Sequence, residues 1–114
     1  MENNEHLEMA VNHMLAQKEI LELLSNNLNT WKEKYGIEWI ALFGSYTRGE
    51  QKESSDIDLL VEFAEHSMTF DNYIELKFEL EDLFHKPIDL VMIEDIKPAI
   101  KPSILRSAKY AEGA

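Results

Sequence analysis

Residues 44–63 read GSYTRGEQKESSDIDLLVEF. A Gly-Ser pair opens a polar stretch that ends in two aspartates alternating with one isoleucine, directly ahead of an apolar run. In an extended chain Asp56 and Asp58 project from the same face with Cα atoms about 6.6 Å apart. Two carboxylates about 4 Å apart repel by roughly 4 kcal/mol at an effective dielectric of 20, a large fraction of the stability of a small domain. A divalent cation reverses that sign. Magnesium fits best, because it takes oxygen ligands, accepts few protein carboxylates and completes its shell with water and substrate phosphates.

Working outward, IEWIALF at 37–43 is short, rich in β-branched and aromatic residues and bounded by glycines, which predicts a strand running into Gly44-Ser45. DIDLLVEF at 56–63 is the second predicted strand, with Ile57, Leu59, Val61 and Phe63 on one face and Asp56, Asp58, Leu60 and Glu62 on the other. The first part of Ser45–Ser55 reads as a short helix. Upstream, Leu7, Val11, Met14, Leu15, Ile20, Leu24, Leu28, Trp31 and Tyr35 recur at helical spacing, predicting a helix over 5–34 with a break near Ser25-Asn26-Asn27 and an end at Gly36. Downstream, Phe70, Tyr73, Ile74, Leu76, Leu80, Leu83 and Phe84 predict a helix over 69–84. PIDLVMI then forms a third strand from Pro87, a last helix spans 98–107, and a short strand follows at 108–111.

The fold class expected is α/β (α+β): a mixed sheet of three to four strands flanked by helices, in the order αβαβαβα. If the first two strands are antiparallel, Gly44-Ser45 and the two aspartates share one sheet edge. The helix over 69–84 is long enough to cross over between parallel strands, which brings Asp89 to that edge as a third carboxylate. Gly44 lets the backbone approach a phosphate, Ser45 offers its hydroxyl and N–H, and the following turn adds further N–H donors. Such a rim is a nucleotide site. Arg48 has two readings, a phosphate contact or a pair with Glu50 or another nearby acid.

The chain has 114 residues, 45% hydrophobic and 29% charged, enough for one domain with a modest core. Residues 17–114 read as that domain and 1–16 as a helical extension. With 22 acidic and 11 basic residues the net charge is −11, the reverse of what nucleic-acid binding needs, so no direct nucleic-acid partner is expected. Cysteine is absent, which removes disulfides, thiolate nucleophiles and Cys-based zinc sites. No apolar run is long enough for a membrane span, and MENNEHLEMAV is acidic where a signal peptide is basic, pointing to a cytoplasmic protein with no membrane partner.

The pattern Gly44-Ser45, ten residues, Asp56-x-Asp58, with Asp89 in a later strand, resembles the nucleotidyltransferase superfamily that includes DNA polymerase beta and kanamycin nucleotidyltransferase. The fuller wording, with PIDLVMIEDIKPAIKPSIL, looks like the minimal nucleotidyltransferases (MNT, or MntA-type antitoxins) that pair with HEPN-domain toxins, over residues 20–110. The resemblance implies ATP as nucleotide donor and Mg²⁺, two ions, at Asp56, Asp58 and Asp89. Asp89 would also act as base toward the acceptor hydroxyl, while Gly44 and Ser45 would hold the triphosphate. It implies further that AMP passes to a tyrosine of a HEPN ribonuclease toxin, as in type VII toxin–antitoxin systems. An aminoglycoside-like small-molecule acceptor and a catalytically idle antitoxin that neutralises by covering its toxin are the alternative readings.

Other residues carry less. Lys97, Lys101, Arg106 and Lys109 form a basic patch that suits a nucleotide, an acidic partner or, for the last two, a helix end. His6, His13, His66 and His85 lack metal-ligand spacing, and Trp31, Trp39 and Phe43 read as core. Only about 25 residues follow Asp89, too few for an acceptor-binding domain, so the acceptor is expected to come from a partner.

Overall fold

Ile20, Leu24, Leu28, Trp31 and Tyr35 recur every three or four residues and are all buried. They line the inner face of helix α1, Gln17–Tyr35. The computed structural model describes residues 16–112 except 53, so the helical turns expected over 5–15 and the proposed extension lie outside the described residues, apart from Ala16. Glu19 reaches back to accept from the Ala16 N–H at 3.1 Å, supplying one half of a capping box. Helix α1 is continuous through Ser25-Asn26-Asn27, contrary to the expected break, with Leu24 and Leu28 buried on either side of that segment and the Asn27 amide donating to the Leu23 carbonyl at 2.8 Å. Gly36 closes it in the left-handed region at φ 71°.

The remaining elements are β1 (Ile37–Phe43), α2 (Ser45–Arg48), β2 (Ile57–Phe63), α3 (Phe70–Phe84), β3 (Ile88–Met92), a 3-10 turn (Ile93–Asp95), α4 (Lys101–Ser107) and β4 (Lys109–Tyr110). Thr69 caps α3 by accepting from the Asn72 N–H. The sheet order is β3-β2-β1-β4. Strand β1 is antiparallel to both β2 and β4, and β3 runs parallel to β2, as the crossover through α3 requires. The α+β, mixed-sheet expectation therefore holds. The last helix starts later than expected, after turns at 98–100, and the closing strand shortens to two residues.

Strand alternation sorts the side chains onto two faces. Ile40, Leu42, Ile57, Leu59, Val61, Ile88 and Leu90 join α1 and α3 in the larger core. On the opposite face Ala41 and Leu60 are covered by Ile93, Ile96 and Ala108, with Ile104 and Leu105 of α4 against them. Both faces being apolar explains why β2 reads as nearly continuous hydrophobic sequence. Trp31 is core as expected, while Trp39 and Phe43 are only half-buried on the second face. Phe70 departs from expectation: it lies 75% exposed on the outside of α3. Among the described residues, no helix is long and apolar enough to cross a membrane.

Candidate active site

The second face changes character at one end of the sheet. Phe43 pairs with Asp58 across β1 and β2, and Asp58 pairs with Asp89 across β2 and β3. One transverse row thus holds an aromatic ring and two carboxylates, just beyond the apolar row Ala41–Leu60–Val91. Asp89 is exposed and Asp58 half-buried. Asp56 is exposed and immediately precedes β2, so its carboxylate belongs to the connection, one residue outside the expected strand.

Gly44 ends β1 at φ 78° and ψ −147°, a conformation that side chains resist. A Cβ there would lie 2.9 Å from Asp58 Cγ and run into its Oδ2, so the glycine is required both by its backbone and by the carboxylate lying over it. Ser45 opens the single turn of α2. That turn is tied by Thr47, whose N–H and hydroxyl both donate to the Gly44 carbonyl at 3.1 and 2.7 Å. The Gln17 side chain donates to the Tyr46 carbonyl at 3.1 Å, fastening the turn to the start of α1. Sequence reasoning therefore placed Gly44, Ser45, Asp56, Asp58 and Asp89 on one rim, and the structure brings them there.

The electrostatics match that crowding. The Asp58 carboxyl is pushed up to about 6, first by burial, then by the charges of Asp89 and Asp56 and by a hydrogen bond shared with Asp89, with the Arg48 charge pulling the other way. Two carboxyl groups sharing a hydrogen bond need a proton or a cation between them. The donor set consists of carboxylate oxygens, as a hard divalent cation requires. Among the described residues no group of three or more acidic or histidine side chains stands close enough together to hold a metal ion; Asp58 and Asp89 form a pair, with Asp56 beside them.

Arg48 takes the second of its two sequence readings, pairing through Nε with Glu50 at 2.8 Å with both side chains exposed. Such a pair contributes little. Two tyrosines that sequence reasoning did not assign to the site belong to its foundation. Tyr46 is buried, its phenol raised by burial and by Asp56 and Asp58. Tyr73 of α3 donates to the Leu90 carbonyl at 2.7 Å, beside Asp89, and its phenol is raised by burial and by Asp89 and Asp95. The position of Tyr46 within the Gly-Ser turn was its only sequence signal, and Tyr73 read simply as helix core. His66 pairs with Glu65 on the surface and His85 ends α3; His6 and His13 lie outside the described residues. The basic residues Lys97, Lys101, Arg106 and Lys109 lie on the segment containing α4 and β4, with Arg106 in the last turn of α4.

Residues 24–111 match the family model of the nucleotidyltransferase domain. The chain is 40% identical over 97 residues to the protein adenylyltransferase MntA of Thermococcus cleftensis, an alignment covering 85% of this chain and 97% of that protein. A solved structure described as a minimal nucleotidyltransferase superposes with a TM-score of 0.66 at 34% identity, covering 77% of this chain and 92% of the other. A toxin–antitoxin crystal structure containing AMP-PNP gives a TM-score of 0.61 at 25% identity, covering 79% and 73% respectively.

Proposed function

Since this chain belongs to the nucleotidyltransferase domain family, we propose that it acts as an antitoxin, transferring AMP from ATP to a tyrosine of a HEPN-domain ribonuclease toxin. The observation that carries the reading is the cross-strand pair Asp58–Asp89, with Asp58 lying against Gly44 and Asp56 at its flank. The likeness to a protein adenylyltransferase and to toxin–antitoxin complexes supports a protein acceptor.

The residues divide the work. Gly44 lets the backbone lie directly against the Asp58 carboxylate, and Ser45 offers its hydroxyl and N–H to the phosphate oxygens. Asp56, Asp58 and Asp89 would hold Mg²⁺, two ions in the full site, which supplies charge neutralisation for the triphosphate and polarises the attacking hydroxyl. In the transfer a bond forms between the tyrosine oxygen and the α-phosphorus, the bond from that phosphorus to the bridging oxygen breaks, and diphosphate leaves. A carboxylate oxygen of Asp89, the exposed member of the pair, takes the hydroxyl proton. Little covalent chemistry falls to the protein, so positioning dominates the rate.

Intact-mass measurement of the cognate HEPN-domain protein after incubation with this chain, ATP and Mg²⁺ tests the proposal. The expected result is a gain of one or more AMP units. Asp58→Asn and Asp89→Asn should each lower the rate by about 10²–10³-fold, as loss of one charge-stabilising group does. Neutralisation of the toxin with no mass gain would overturn transfer in favour of an antitoxin that works by covering its partner.

A further inference from the structure

The outer face of α3 carries apolar side chains that neither core takes up. Phe70 is 75% exposed and Phe78 is 60% exposed, with half-buried Ile74 between them. At 100° per residue these three fall within one stripe about 12 Å long. Met68, two residues before the helix, is also 50% exposed. Leu76, Leu80 and Phe84 of the same helix point into the core, so the stripe is not a displaced part of it. Single exposed apolar residues are ordinary, but a contiguous row holding two phenylalanines is the usual mark of a binding face.

We propose that this stripe docks a basic amphipathic helix of the acceptor protein, an inference that rests on the reading of the chain as a transferase acting on a protein. Asp71, Glu75 and Asp82 follow the stripe along one flank at helical spacing, so the complementary surface is apolar with Lys or Arg beside it. A second copy of this chain would bring the same three carboxylates against them. The chain's own residues 1–15 contain Glu2, Glu5 and Glu8 and no Lys or Arg, so they too are a poor electrostatic match. Helix α3 returns from the far end of β2 to the start of β3. Its C-terminal end therefore lies at the same end of the sheet as Asp58 and Asp89, but on the face opposite theirs, so a helix laid along α3 is held beside the rim and not over the carboxylates.

The test uses the full chain with the cognate HEPN-domain protein. With p-benzoylphenylalanine in place of Phe78, irradiation should join the two proteins at a Lys- or Arg-bearing helix. A cross-link to a second copy, or to residues 1–15 of the same chain, would overturn the proposal. By titration calorimetry without ATP, the Phe70→Ser, Phe78→Ser double variant should bind about tenfold more weakly or worse, with an unchanged melting temperature. The Glu75→Lys, Asp82→Lys variant should also weaken binding and flatten its dependence on salt. In the transfer assay the serine variant should raise KM for the acceptor protein and leave kcat unchanged. Affinities equal to wild type in both variants would sink the docking surface alone, whereas a wild type that binds but never adds AMP would sink the transferase reading alone.

Discussion

Asp58 is the residue on which the stability of the metal-free fold and the proposed activity pull in opposite directions. Its carboxyl titrates near 6 in the folded chain against an ordinary 3.8, so between those values the folded state holds a proton that the unfolded state has released. Stability of the metal-free protein therefore falls as pH rises through that window. Asp58→Asn should slow the proposed transfer by about 10²–10³-fold yet raise the melting temperature in EDTA at pH 8. The gain should shrink toward pH 4, which thermal scans of both proteins at the two pH values would show. Gly44→Ala should fail differently, losing about 1–2 kcal/mol of stability to its positive φ and displacing the carboxylate above it, measurable by urea unfolding. The acidic residues were legible because a Gly-Ser turn and an Asp-x-Asp at fixed spacing have few bland explanations. The upward shift of Asp58 was not, since it depends on the register that sets Asp89 beside it.

At the scale of elements, α1 and α3 are joined through one side chain. The Glu79 carboxylate accepts from Trp31 Nε1 at 2.7 Å, Tyr35 Oη at 2.7 Å and Lys34 Nζ at 3.1 Å. Burial raises its pKa, but the bonds from Tyr35, Trp31 and Lys34 outweigh that and hold it below 4.5. This contribution is present above the unfolded value and is lost as pH falls through the folded one. Glu79→Leu should cost about 2–3 kcal/mol at pH 7, because it strands the Trp31 N–H, and the gap to wild type should narrow below pH 4 in denaturant titrations. Helical periodicity placed the end of α1 and both ends of α3 to within a residue or two, but neither the start of α1 at Gln17, where Ala16 is extended, nor its continuity through 25–27. It could not reveal the 3-10 turn at Ile93–Asp95, whose reason is tertiary: it carries Ile93 and Ile96 over Leu60. Phe70 counted toward the helix by its spacing, but it lies on the outer face of α3, 75% exposed.

For the whole molecule, the charge of −11 places a compact chain under self-repulsion. Raising ionic strength from about 0.01 M to about 0.15 M shortens the screening length from roughly 30 to 8 Å. The melting temperature should rise accordingly, and calorimetry in a NaCl series would detect it. The sheet order could be argued from the sequence only by assuming antiparallel first strands and a crossover through α3. Both assumptions hold. Strand β4 fell outside that logic: two residues, Lys109 and Tyr110, find their place through pairing with Leu42 and Ala41 and a tilted ring contact between Tyr110 and Trp39 at 5.2 Å.

The alternation around Asp89 makes strand alignment self-checking. Ile88 and Leu90 are buried on either side of it, so mis-zipping β3 by one position would turn both isoleucine and leucine toward water and drive the aspartate into hydrocarbon. An unpaired charge in that setting costs several kcal/mol, more than a chain this small can absorb. Any molecule that completes folding has, by that act, already set its third carboxylate beside Asp58.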